Sequence, residues 1–182
     1  MELNWHSFGL TYNKNKKMKA SLLATVISVF VLTSFTKDNR TVAPNFTLQS
    51  MEGTMVSLSS FKGKVVYIDV WATWCRPCLM EMPYSKKLKE RFTSTDNIVF
   101  LYVSIDNGDN IAGWKDMVQK KEISGVHLIS RGGMEEKLLE RYGIATIPRF
   151  IMIDKQGNIA QYNATPPSDP ATYETLKKLL SE

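Results

Sequence analysis

Two cysteines, Cys75 and Cys78, are the only ones in this 182-residue chain, and both lie in Trp74-Cys75-Arg76-Pro77-Cys78. Positions three apart share one side of a helical turn, so the pair can alternate between a dithiol and a disulfide. A structural disulfide contributes most where it closes a long loop, and this one closes almost none. With no further cysteine to build a framework, the pair itself is the candidate chemistry. The thiolate is the reactive form, so the question is what stabilises an anion there. An apolar strand ending at Trp71 and a helix beginning near Cys75 place Cys75 at the helix N-terminus. Free backbone N–H groups and the positive end of the dipole favour negative charge at that point. Arg76 adds a cation, and Pro77 falls in the first turn, where a missing N–H costs nothing. Cys78, one turn in, is expected to be more buried and less acidic. Cys75 is therefore read as the attacking thiol, and Cys78 as the thiol that opens the resulting mixed disulfide. Trp74 is expected to be exposed beside the pair, touching substrate or packing at the helix start. Cys-x-x-Cys can also be half of a zinc site. No second pair exists, and His6 and His127 are scattered, so no metal and no cofactor is expected.

The elements around the pair follow from periodicity and turn chemistry. Val65 to Trp71 is an unbroken β-branched and aromatic run, as expected of a strand buried on both faces. A helix follows the cysteines to about Phe92, with Pro83 expected to kink it. Asn45–Leu48 and Met55–Leu58 form a hairpin pattern around Glu52-Gly53. Ile98 to Ile105 reads as a second buried strand, Asp109–Lys121 as a helix and Val126–Ile129 as a short strand. Met134–Tyr142 reads as a helix stopped by Gly143. Arg149–Ile153 and Asn158–Tyr162 form a closing hairpin, and Pro170–Leu180 a final amphipathic helix. The Asp106–Asp109 turn lacks the spaced ligands of a calcium loop and is expected to cap a helix. Strands alternating with helices before a closing hairpin and helix imply an α/β fold with a mixed sheet, one domain over residues 45–182.

The formal charge of +5 is unevenly placed. Lys14, Lys16, Lys17 and Lys19 precede an apolar segment, Ala20–Phe35, and the rest of the chain is nearly balanced. That argues against nucleic acid as a partner, which would want a basic face on the domain. The apolar segment is short for a bilayer span and suits a secretory signal's core. Residues 1–35 are thus expected to be a signal peptide or an uncleaved membrane anchor, and residues 36–44 a polar linker. Either way the domain is expected outside the cytoplasm, where disulfides persist.

Val65 to Cys78, reading VVYIDVWATWCRPC, resembles the strand-to-active-site segment of the thioredoxin superfamily. Ala145-Thr146-Ile147-Pro148 resembles its cis-proline segment. The N-terminal hairpin and the inserted strand–helix between Lys121 and Gly143 are similar to the exported TlpA/ResA-like thiol–disulfide oxidoreductases. The resemblance implies a thioredoxin-like fold, a central mixed β-sheet flanked by helices. It implies a cis Pro148 beside the dithiol, with Ile147 before it helping to select substrate. Trp74, Arg76, Pro77, Ile147 and Pro148 are then the expected substrate-facing residues. Two carboxylates compete for proton transfer. Asp69 stands where thioredoxins have a buried acid, whose pKa burial raises, and Glu81 matches an acidic residue of the ResA-like group. The implied partners are proteins carrying disulfides and a transmembrane thiol electron donor, in the bacterial periplasm, for instance during cytochrome c maturation; a monomer is expected. Arg76 replaces thioredoxin's Gly and Arg149 its Thr, which leaves the reduction potential open. Two other functions compete. A peroxiredoxin-like peroxide reductase needs a Thr three residues before its cysteine, and Thr73 stands only two before Cys75. A non-catalytic redox-sensing domain needs only the switch of the dithiol.

Overall fold

All seven residues of Val65–Trp71 are buried, which fits only the centre of a sheet covered on both faces. The computed structural model describes residues 40–130 and 135–182, and there this strand is β3 of seven. The others are β1 (Thr47–Ser50), β2 (Met55–Ser57), β4 (Ile98–Ser104), β5 (Val126–Ile129), β6 (Arg149–Ile153) and β7 (Ile159–Gln161). The strand order is β2-β1-β5-β4-β3-β6-β7. β3 runs parallel to β4, from Val65 opposite Ile98 to Trp71 opposite Ser104, and antiparallel to β6. β5 is parallel to β4, and the β1–β2 hairpin joins antiparallel at β5. The sheet is mixed, and its parallel strands end level with one another.

Alternation along the strands sorts the core into two layers. Tyr67 and Trp71 of β3, Phe100 and Tyr102 of β4, and Phe150 and Met152 of β6 face one way. They meet Cys78 and Met82 of α1 (Arg76–Glu90), Trp114 of α2 (Ile111–Lys120) and Leu176 of α4 (Pro170–Ser181). On the opposite face Val66, Ile68, Leu101 and Val103 meet Leu138 of α3 (Glu135–Arg141), Tyr142 and the N-terminal residues Ala43, Leu48 and Leu58. Asp69, two residues from both Tyr67 and Trp71, lies on the α1 face. Helix α1 begins at Cys75 as N-cap with Pro77 in its first turn, and ends with Lys87 and Lys89 at its negative pole. It runs on through Pro83.

Several boundaries differ from the sequence reading. The first strand starts at Thr47, because Asn45 Oδ1 accepts from Ser57 Oγ and Ser59 N–H, both at 3.0 Å. Such local side-chain bonding competes with a strand ladder. Leu58 opens a 3-10 turn, Leu58–Phe61, instead of extending β2. The expected helix from Asp109 begins as a 3-10 turn, Gly108–Asn110, before α2. The last five residues of the expected linker are docked on the domain. Arg40 pairs with Asp154 at 3.0 Å and Glu182 at 2.8 Å, Ala43 N–H donates to Gly157 C=O at 3.0 Å, and Tyr142 O–H donates to Pro44 C=O at 2.6 Å. The expected signal or anchor, residues 1–35, lies outside the described residues. No helix among the described residues is long and apolar enough to cross a membrane.

Candidate active site

In open α/β sheets the usable crevice lies beyond the carboxyl ends of the parallel strands. The chain leaves β3 at Trp71 and reaches Cys75 in four steps, the last closed by Cys75 N–H donating to Ala72 C=O at 3.0 Å. Cys75 and Cys78 form a disulfide with their Cα atoms 5.3 Å apart. The Cys78 N–H, one of the unsatisfied donors of the first turn, donates to Cys75 Sγ at 3.2 Å. Both cysteines are buried, Cys78 at 2 % exposure slightly more than Cys75 at 4 %, the order expected.

The Ile147–Pro148 peptide is cis and leads directly into β6, the neighbour of β3. Pro148 and Phe150 line one side of a groove of about 510 Å³, with Pro77, Met80 and Glu81 of α1 and residues 163–166 completing it. Ile147 does not line this groove; it is half-buried and packs against both core layers. Trp74 is 66 % exposed and Arg76 is exposed as well; neither lines the groove.

The two carboxylates are separated by their surroundings. Asp69 is 3 % exposed and its Oδ1 has no hydrogen-bond partner. Burial, and secondly the charge of Glu81, push its pKa up to about 8. Glu81 is committed elsewhere, with both oxygens accepting from Ser168, the N–H at 3.0 Å and the hydroxyl at 2.9 Å. Ser168 lies just ahead of α4, whose N-cap Asp169 accepts from Ala171 N–H. The acid on α1 thus ties the dithiol helix to the C-terminal one.

One residue near the site was read from the sequence only as part of a helix-capping turn. Asp106 follows β4 and is 1 % exposed. It accepts from Thr73 N–H at 2.9 Å, Thr73 O–H at 2.6 Å and Ser104 O–H at 2.7 Å. The turn expected to cap a helix supplies no side-chain cap to α2. Thr73, weighed for a peroxidatic role, spends its hydroxyl on Asp106. The available signal was a Ser-x-Asp at the end of the strand parallel to β3. Among the described residues no group of three or more His, Cys, Asp or Glu is placed to hold a metal ion.

A cysteine pair spanning the first turn of a helix off the central strand, with a cis-proline opening the adjacent strand, defines a thioredoxin-like thiol–disulfide oxidoreductase. Comparison with known proteins gives the same class. The Redoxin family model matches residues 37–180, and the chain belongs to that family, as a ResA/TlpA-like member of the thioredoxin superfamily. It is 30 % identical over 137 residues to the thiol-disulfide oxidoreductase ResA of Bacillus thuringiensis subsp. konkukian, covering 75 % of this chain and 76 % of the relative. The ResA of Geobacillus thermodenitrificans is 27 % identical over 157 residues, 79 % of this chain and 87 % of the relative. Among solved structures, the thioredoxin domain of a Bacteroides vulgatus thiol-disulfide oxidoreductase superposes with a TM-score of 0.68 at 28 % identity, covering 76 % of this chain and 94 % of that one. A Bacteroides fragilis thiol-disulfide oxidoreductase gives 0.66 at 25 %, covering 76 % and 98 %.

Proposed function

We propose that this oxidoreductase reduces protein disulfides outside the cytoplasm, with Cys75 as attacker and Cys78 as resolver. The observation that carries this reading is the Cys78 N–H held on Cys75 Sγ at 3.2 Å at the start of α1, a donor positioned for a thiolate. The Cys75 thiolate attacks a substrate disulfide, forms the mixed disulfide and releases one substrate thiolate. Cys78 then attacks Cys75 Sγ and releases the second. Two electrons pass to the substrate, and the protein is left with the Cys75–Cys78 disulfide. The ionised fraction of Asp69 accepts the Cys78 proton: it shares the α1 face, its Oδ1 is unpartnered, and its raised pKa keeps that fraction basic enough to take a thiol proton. Glu81, occupied by Ser168, holds the groove wall.

The substrate segment lies along the groove between Pro77 and Pro148, with Trp74 and Arg76 exposed to the rest of the substrate protein. The Lys-rich and apolar N-terminal sequence supports export, and the likeness to ResA supports membrane-side work such as cytochrome c maturation. Re-reduction then needs a thiol donor fed across the membrane. Replacing Cys78 with Ala should trap substrate proteins as mixed disulfides on Cys75. No accumulation of such adducts would remove the exchange mechanism. Negligible reduction of insulin disulfides with a supplied reductant would favour a sensing domain, and rapid peroxide turnover a peroxide reductase.

A further inference from the structure

Asp106 stands just past the end of β4. Ser104 ends β4 opposite Trp71, which ends β3, and Ile105 N–H donates to Trp71 C=O at 2.9 Å. Asp106 N–H donates back to Ser104 Oγ at 3.0 Å, so the carboxylate is fixed to the parallel strand pair. From there its two oxygens take both donors of one residue, Thr73, two positions before Cys75. Binding the N–H and the O–H together fixes where Thr73 lies and how it is turned. Asn110 Nδ2 adds a longer contact to Thr73 Oγ1 at 3.3 Å. Trp74, the next residue, is 66 % exposed and gives the loop little packing. Taking a carboxylate out of water is costly unless its lone pairs are filled, and every one of these partners lies on the strand ends or the approach to Cys75.

We infer that Asp106 is a positioning residue: through Thr73 it sets where Cys75 Sγ stands at the N-terminus of α1, and so how well the thiolate meets the Cys78 N–H and the incoming disulfide. The inference rests on Cys75 being the attacking thiol. Three variants of the full chain separate geometry from charge. Asp106→Ala removes both oxygens. Asp106→Asn keeps an acceptor for Thr73 N–H and Ser104 O–H, and its amide can donate to Thr73 Oγ1. Thr73→Val removes the hydroxyl arm alone.

Two readouts are needed: the rate of insulin-disulfide reduction with dithiothreitol, and the pH profile of Cys75 alkylation in the reduced protein, with the two thiols resolved by mass. Asp106→Ala is expected to slow exchange by roughly tenfold to a hundredfold, the scale of an ångström-sized misplacement. Its Cys75 alkylation midpoint should lie above that of Asp106→Asn by about half a pH unit or more. Asp106→Asn should recover the rate to within about threefold, and Thr73→Val should move both readouts in the direction of the alanine variant. Equal rates and midpoints in the two Asp106 variants would overturn the inference. If the alanine variant does not fold, wild-type values for Thr73→Val would do the same. Alkylation of Cys78 ahead of Cys75 would instead unseat the assignment of the attacking thiol.

Discussion

Replacing Asp69 with Asn asks whether the buried carboxyl is held protonated near neutrality, and its surroundings set the size of the answer. Asp69 is 3 % exposed, its Oδ1 is unpartnered, and burial first and Glu81 second raise its pKa from 3.8 to about 8. In the unfolded chain the same carboxyl ionises at its ordinary value. Between those two values the folded protein keeps a proton that the unfolded chain has lost. The contribution of Asp69 to stability therefore falls as pH rises through this window, by about 1.4 kcal/mol per pH unit, and levels off above about pH 8. By about pH 7 the accumulated loss is about 4 kcal/mol relative to a side chain that does not titrate. Asp69→Asn removes the titration. The amide brings its own pH-independent offset, so the slope is the readout. Chemical denaturation of the oxidised wild type and variant, from about pH 5 to about pH 9, measures it. The variant should gain on the wild type steadily up to about pH 8 and hold a constant lead beyond. Parallel profiles would refute the raised proton affinity and, with it, the place of Asp69 as acceptor for Cys78. Glu81→Gln should move the levelling point to lower pH, because the second cause is gone.

Other perturbations test other parts of the structure. His127 is buried, chiefly for which its pKa drops to about 4; the unfolded chain takes up a proton near 6.5, so stability is lost as pH falls between those values, by about 3 kcal/mol at the acid end. In the same denaturation series His127→Gln should gain on the wild type by about 2 kcal/mol as pH falls from about 6.5 to about 5, and parallel profiles over that range would count against it. Ser85 Oγ and Tyr102 O–H share a buried hydrogen bond of 2.7 Å. Ser85→Ala and Tyr102→Phe should each cost about 1–3 kcal/mol, and the double variant clearly less than the sum, by denaturation; strict additivity would contradict the pairing. Gly125 has φ +148°, and an added Cβ would lie 2.6 Å from Tyr102 Cε2 and 2.9 Å from Phe100 O. Gly125→Ala should therefore cost about 2 kcal/mol or more, and an undiminished melting temperature would show that the neighbouring ring yields freely.

The parts legible in the sequence are those whose physics is local. Cys75 and Cys78 are three residues apart, so their union across one turn needs no knowledge of the rest of the chain. Val65–Trp71 announces a central strand because an unbroken apolar run has only one comfortable place in an α/β domain. The hairpin around Glu52-Gly53 and the helix after the cysteines follow from turn chemistry and periodicity in the same way. Boundaries were less legible where a side chain competed with the ladder, as Asn45 does, or where a polar stretch such as residues 40–44 found partners on the finished domain.

What only the tertiary structure decided is the surroundings of the groups around the dithiol. Asp69, inside the apolar strand, and Glu81, on the helix, both stand as candidates along the chain. They part when Ser168, 87 residues beyond Glu81, takes both its oxygens, while the sheet and α1 close over Asp69 and leave its Oδ1 without a partner. Asp106 becomes visible only when β4 lies in register beside β3 and brings it to Thr73, 33 residues away. Chemistry that depends on neighbouring residues is written in the sequence. Proton affinity and alignment depend on which distant groups exclude water or donate a bond, and these exist only after the chain has folded.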